Sequence, residues 1–191
     1  MNEKALKTLE FYKIIEQLTI YASTPLGKER CQKLVPMEDI TSIRQSQRET
    51  SDALKRILQR GSISFSGVKD IRDSLLRLQV GASLSIVELL HISSLLKVAT
   101  RAKAYGRREN DEETQDSLDE RFCALEPLTP LNREIERCIL SEEEIADDAS
   151  PALKNIRRSM RIASDKIHTQ LNSIVNSSRS LLQDADRKSV V

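Results

Sequence analysis

The chain has 191 residues, 39% of them apolar and 31% charged, with five Gly, five Pro and no Trp, a balance that favours helices over sheets. No run approaches the roughly 18 apolar residues of a membrane span, and Met1-Asn2-Glu3-Lys4 does not open a signal peptide, so a cytoplasmic protein without a membrane partner is expected. The net charge of +1 hides a block pattern: residues 1–108 carry 19 basic and 11 acidic groups, 109–148 carry 3 and 15, and 149–191 carry 8 and 3.

Apolar spacing predicts a helix over Thr8 to Ala22, with Leu9, Phe11, Ile14, Ile15, Leu18 and Tyr21 on one face. Thr24 and Pro25 open a second helix that Pro36 ends, with Leu26, Cys31 and Leu34 inward. Asp39 opens a third, with Ile40, Ile43, Ala53, Leu54, Ile57 and Leu58 on one side and Gly61 as a left-handed cap. Ser62 to Val68 reads as a loop, and Ile71, Leu75, Leu76 and Leu78 as a short helix stopped by Gly81. Ser85 with Glu88 is a capping box, starting a helix to about Tyr105 that buries Leu89, Ile92, Leu96 and Ala99. His91 within it is expected to be a partly buried helix residue rather than a metal ligand or catalyst. Gly106 to Glu120 is an acidic loop that turns helical near Leu118, Phe122 and Leu125, until Pro127 and Pro130 break it. Leu131, Ile135, Cys138 and Ile139 make one more short helix. An irregular acidic connection follows, with an extended piece around Ile145.

Ser150 and Pro151 then form a helix start, because proline's missing N–H would be unpaired at that position anyway. The forty residues after Pro151 contain neither Gly nor Pro, and apolar residues recur in steps of three and four from Leu153 to Leu181. A helix from Pro151 to about Gln183 is roughly 50 Å long, more than a domain of this size needs. It reads as a lever, a coiled-coil arm or a connector. The fold class is therefore all-α: a multi-helix core over residues 1–149, one long projecting helix over 150–185, and a tail over 186–191.

Little in the chain points to catalysis. Leu26-Gly27-Lys28-Glu29 lacks the first Gly and the hydroxyl of a phosphate-binding loop. Two His and three scattered Cys make no zinc set, and Cys31, Cys123 and Cys138 read as reduced thiols. Glu142-Glu143-Glu144 reads as a solvated acidic surface rather than a cation site. No catalytic, cofactor or metal residue is assigned. Lys154, Arg157, Arg158 and Arg161 are the candidate nucleic-acid contacts, since basic side chains on one helix face can follow a phosphate backbone. The competing reading is a solvated helix face neutralised by the acidic stretch.

Several segments carry a family resemblance. Lys7-Thr8-Leu9-Glu10-Phe11-Tyr12-Lys13-Ile14-Ile15-Glu16-Gln17-Leu18, Thr24-Pro25-Leu26-Gly27-Lys28-Glu29 and Gln47-Arg48-Glu49-Thr50-Ser51-Asp52-Ala53-Leu54 resemble the start of the second bacterial MutS family, here MutS-II. Asp148-Ala149-Ser150-Pro151-Ala152-Leu153-Lys154-Asn155-Ile156-Arg157-Arg158 is the strongest match, and Leu181-Leu182-Gln183-Asp184-Ala185 extends it. The resemblance covers residues 1–185. It implies the N-terminal helical core and first lever helix of a MutS-type clamp. It also implies a dimeric parent that binds branched or mismatched DNA with ATP and magnesium and suppresses recombination. The ATPase and the Smr endonuclease module belong to segments absent here, so no enzyme activity is expected of this chain, only structural transmission. The family has no mismatch-reading domain at its start, and no Phe-x-Glu reader occurs here. Some members of the family are linked to ribosomes, so RNA or a ribosome-associated quality-control role is an alternative, as is a stand-alone helical interaction or oligomerisation module.

Where the family continues into clamp strands, this chain reads Asp186-Arg187-Lys188-Ser189-Val190-Val191. An excised piece, a truncated gene product or a degenerate copy is the expectation. With no returning helix to cover them, Leu171, Ile174, Val175, Leu181 and Leu182 are expected to drive self-association into a homo-oligomer, or else the helix is expected to fray beyond about Ile167.

Overall fold

The computed structural model describes residues 3–107 and 115–178. Nine α-helices occur among them: α1 (Glu3–Thr8), α2 (Phe11–Tyr21), α3 (Pro25–Gln32), α4 (Ile40–Arg60), α5 (Arg72–Gln79), α6 (Ile86–Gly106), α7 (Asp119–Cys123), α8 (Thr129–Cys138) and α9 (Pro151–Ser177). The only extended pairing among the described residues is one antiparallel bridge, Ile139 to Ile145. The fold is all-α, as composition and periodicity predict. The chain divides into two compact units, residues 1–136 and 137–191.

In the first unit, helix starts are fixed by the predicted caps. Thr24 Oγ1 accepts from Gly27 N at 3.0 Å, and Asp39 Oδ2 accepts from Ser42 N at 2.7 Å. The Ser85–Glu88 capping box is complete: Ser85 Oγ accepts from Glu88 N, and Glu88 Oε2 accepts from Ser85 N at 2.8 Å. Glu88 also accepts from the Ser74 hydroxyl and from Arg77, tying α5 to the start of α6.

Helix α6 is the axle of this unit, with half-buried or buried residues around most of its circumference from Leu89 to Leu96. Leu96, Val98 and Ala102 are its buried apolar residues, while Leu89, Ile92 and Ala99 are only half-buried. The predicted face is therefore covered, and packing extends beyond it to Val98 and Ala102. The Ser93 hydroxyl donates to Asn132 Oδ1 at 2.7 Å, Ser94 to Gly67 O, Lys103 to Leu125 O, and Tyr105 to Gly61 O.

Three predictions from periodicity are corrected. The helix expected over Thr8 to Ala22 is α2 and begins later, at Phe11: Glu10 sits at φ 50, ψ 34, so the chain turns there after a short preceding helix, α1, and the apolar face is only partly covered. Phe11 and Ile15 are half-buried, whereas Leu9, Ile14 and Tyr21 are 65%, 58% and 86% exposed. Helix α4 is rotated so that only Ile43 and Ala53 of its predicted apolar side face inward. Its inward line is Ile43, Glu49, Asp52, Ala53, Arg56 and Arg60, and Leu54, Ile57 and Leu58 are exposed. Gly61 takes φ 79, ψ 176, so its positive φ is used without the left-handed helical cap expected.

The polar line on α4 receives the segment leading into α7. Arg56 Nη2 donates to Asp119 Oδ1 at 2.5 Å, and the same guanidinium pairs with both oxygens of Asp116. Asp52 Oδ2 accepts from the Ser117 hydroxyl at 2.6 Å, and Arg121 donates to both oxygens of Glu49. Desolvation of these charges is offset by their pairing, although the buried Arg56 Nη1 has no hydrogen-bond partner among the described residues.

In the second unit, α9 runs unbroken for 27 residues, about 40 Å at ~1.5 Å per residue. Ser150 Oγ accepts from Leu153 N at 3.1 Å with Pro151 in the first turn, as the sequence predicts. The expected continuation to Gln183, together with Leu181, Leu182 and the tail, lies outside the described residues.

Candidate interface on the long helix

The site is built on residues 137–161 and has two parts. First, the connection after α8 is held by guanidinium groups. Arg137 donates to Asp148 O at 2.8 Å and to Ala149 O at 3.3 Å, the two residues before the Ser150 cap. The bridge between Ile139 and Ile145 is completed by Ala146 N donating to Cys138 O at 2.8 Å and Leu140 N to Glu144 O at 2.9 Å. Ile139 and Ala146 are buried, which anchors the connection through apolar contact as well.

Second, Asp147 sits on the first turns of α9. Arg157 Nη1 donates to Ile145 O at 2.7 Å and to Asp147 Oδ1 at 2.5 Å. Arg161, one turn further on, pairs with the other oxygen of Asp147. One carboxylate thus holds two guanidiniums, an oxygen to each. The hydrogen bond from Arg157, then that from Arg161, holds the Asp147 carboxyl below the usual carboxylate range.

Lys154, Arg157, Arg158 and Arg161 follow one another at steps of three, one and three, so the four lie within about a 100° arc of the helix. The sequence predicts this strip, and the structure adds a difference within it. Arg157 and Arg161 are engaged by Asp147, whereas Lys154 and Arg158 are exposed and form no ion pair among the described residues. The Asp147 contact was not legible, because an aspartate in an irregular connection has no periodicity to place it against the helix.

Beside the basic strip runs an apolar one. Ile156, Met160, Ile167, Leu171, Ile174 and Val175 are each more than half exposed, and α9 has no buried residue. The uncovered stripe therefore begins near Ile156, about four turns closer to the start of the helix than the far-half stripe predicted from Leu171 onward. The helix is continuous past Ile167 to Ser177, so the expected fraying there is not what the described residues show.

The other candidates stay apart from this region's chemistry. His91 is half-buried within α6, as expected, and the three cysteines are free thiols. Glu142, Glu143 and Glu144 are exposed, and no set of three His, Cys, Asp or Glu that could hold a metal occurs among the described residues. No described helix is long and apolar enough to cross a membrane.

No family model matches the chain. Among curated proteins, "Endonuclease MutS2" of Lachnoclostridium phytofermentans is 56% identical over 192 residues, covering 97% of this chain. The chain is similar to the N-terminal quarter of MutS2 proteins. Endonuclease MutS2 of Agathobacter rectalis is 50% identical, with 97% of this chain covered, and that of Acetivibrio thermocellus is 44% identical, with 94% covered. The chain spans about a quarter of the length of these MutS2 relatives, 24%, 24% and 23% respectively. The endonuclease of their name therefore belongs to proteins four times as long. The MutS-II resemblance read from four short segments extends along nearly the whole chain.

Proposed function

We propose that this chain is the core-and-lever segment of a MutS2-type, ATP-dependent DNA-binding protein that acts on branched or mismatched DNA and limits recombination. Its part is mechanical: α9 carries the state of a distant ATPase to a distant DNA clamp, and catalysis belongs to segments outside it. The unbroken α9, capped by Ser150 and Pro151 and clamped at its base by Arg137 and Arg157, carries this reading. A stiff helix about 40 Å long transmits displacement from one end to the other, which a broken one does not. The match with MutS2 relatives along 97% of the chain supports the same placement. ATP and magnesium are cofactors of the parent protein in this reading, and a cytoplasmic site goes with it.

The test is a chimera in which this chain replaces the matching quarter of the Lachnoclostridium phytofermentans relative. Structural transmission predicts that DNA-stimulated ATP hydrolysis survives the exchange. A chimera that folds and hydrolyses ATP but ignores DNA would count against it.

The exposed stripe on α9 favours a second reading, self-association. Each large aliphatic side chain left in water forgoes roughly 1.5–3 kcal/mol of burial, so Ile167, Leu171, Ile174 and Val175 together favour a covering surface. A second copy of the helix, antiparallel, is the occupant we propose.

A further inference from the structure

We infer that Asp147 occupies a phosphate site: the Arg157–Arg161 pair is a fork for a phosphodiester backbone, held closed by an internal carboxylate that nucleic acid displaces. The inference rests on the reading of this chain as part of a nucleic-acid-handling protein and adds a regulated contact to it.

The geometry is that of an anion fork. Two guanidiniums four residues apart on one helix face converge on a single anionic group, with one oxygen given to each. A phosphodiester presents two non-bridging oxygens in a similar arrangement, and guanidinium pairs are suited to that recognition. Arg157 is pre-positioned by its second bond to Ile145 O, so it stays in place when the carboxylate leaves.

The occupant is also weakly held. Asp147 and Arg161 side chains are 47% and 68% exposed, and ion pairs that exposed are screened and contribute little. Asp147 lies on an irregular connection rather than within a helix, so it can move without breaking regular structure. Lys154 and Arg158 flank the fork on the same arc and are exposed, which gives an arriving backbone a first contact.

The chain with its internal clasp therefore offers two cations to a backbone, and the opened fork offers four. Each phosphate neutralised contributes about 0.9 to the slope of log affinity against log salt on duplex DNA, so a fork that takes one phosphodiester raises the slope by roughly 0.9. Affinity at low salt rises roughly tenfold with it.

The test titrates the wild-type chain, Asp147→Asn, Arg157→Gln/Arg161→Gln, and the triple combination against labelled branched DNA, an RNA hairpin and inorganic triphosphate over a range of salt. The proposal expects Asp147→Asn to bind DNA more tightly with the steeper slope, and expects this gain to vanish in the Arg157→Gln/Arg161→Gln background. Equal gains on DNA and RNA identify the shared backbone as the ligand, and a gain on DNA alone identifies duplex DNA. A gain on triphosphate alone, an Asp147→Asn slope equal to wild type, a gain that persists without the two arginines, or no binding by any form would overturn it. Helix content by circular dichroism is checked for each variant, and Asp147→Ser is the replacement where Asp147→Asn does not fold. The MutS2 chimera reads ATP coupling rather than backbone contact, so its failure leaves this result standing and removes only the functional placement.

Discussion

Gly106 and Phe122 approach so closely that a Cβ added to Gly106 would lie 2.2 Å from Phe122 Cβ and 2.5 Å from its Cγ. Gly106 is the last residue of α6, and Phe122 lies in α7. The Phe122 ring also faces Tyr105, with centroids 5.8 Å apart, and Arg56, whose guanidinium carbon is 5.0 Å from the ring centroid. One glycine thereby allows α7 to seat an aromatic ring between α6 and the guanidinium of α4.

Gly106→Ala is predicted to destabilise the first unit. Helix propensity favours alanine by about 1 kcal/mol, but overpacking against a fixed side chain costs about 1–3 kcal/mol. At 2.2 Å the steric cost falls at the upper end of that range, so a net loss is expected. The urea midpoint should fall, and an unchanged or raised midpoint would contradict the close approach.

Arg56→Met should be among the most damaging single changes. It keeps the volume but leaves Asp116 and Asp119 without their shared cation, and breaking a buried pair costs roughly 3 kcal/mol or more. Phe122→Leu, which keeps the ion pairs and removes the ring beneath the guanidinium, should cost less. Thermal melts of the two variants decide the order, and Phe122→Leu melting below Arg56→Met would reverse it.

Stability in acid should depend on Glu88. Its carboxyl is lowered from 4.5 to about 2, chiefly by the backbone and hydroxyl bonds from Ser85. A depressed folded pKa stabilises the native state above pH 4.5, and that contribution is lost as pH falls from about 4.5 to about 2. Glu88→Gln should therefore flatten the acid limb of stability measured by circular dichroism between those values. An acid limb identical to wild type would show that Glu88 is not linked to folding.

Leu171→Gln/Ile174→Gln is predicted to abolish self-association while leaving the melting of the first unit unchanged. Both side chains are more than half exposed, at 52% and 59%, so their replacement removes little folded-state burial. Sedimentation velocity across protein concentration reads the outcome. A wild-type chain that stays monomeric throughout would contradict the antiparallel pair.

What the sequence made legible were the features set by neighbours in the chain. Ser85 and Glu88, Thr24, Asp39, and Ser150 with Pro151 all cap helices where their spacing places them, because an N-cap reaches only three residues ahead. The apolar faces were legible less often. On α4 the pattern of Leu54, Ile57 and Leu58 points to one side, yet Arg56 takes the buried side because Asp116 and Asp119 lie 60 and 63 residues further on. Long-range ion pairing has no period. For the same reason the strip from Lys154 to Arg161 was visible in sequence, while the division of that strip by Asp147 was not.

The most direct measurement is DNA-stimulated ATP hydrolysis by the MutS2 chimera carrying Ile167→Pro, against the same chimera with Ile167→Ala. Ile167 is exposed in mid-helix, so alanine leaves α9 continuous, while proline removes a helix hydrogen bond and kinks it at a cost of about 3 kcal/mol. If α9 transmits, the proline chimera keeps its basal hydrolysis and its DNA binding but loses stimulation by DNA, and the alanine chimera keeps all three. Stimulation that survives the proline unchanged would show that the helix is not the connection.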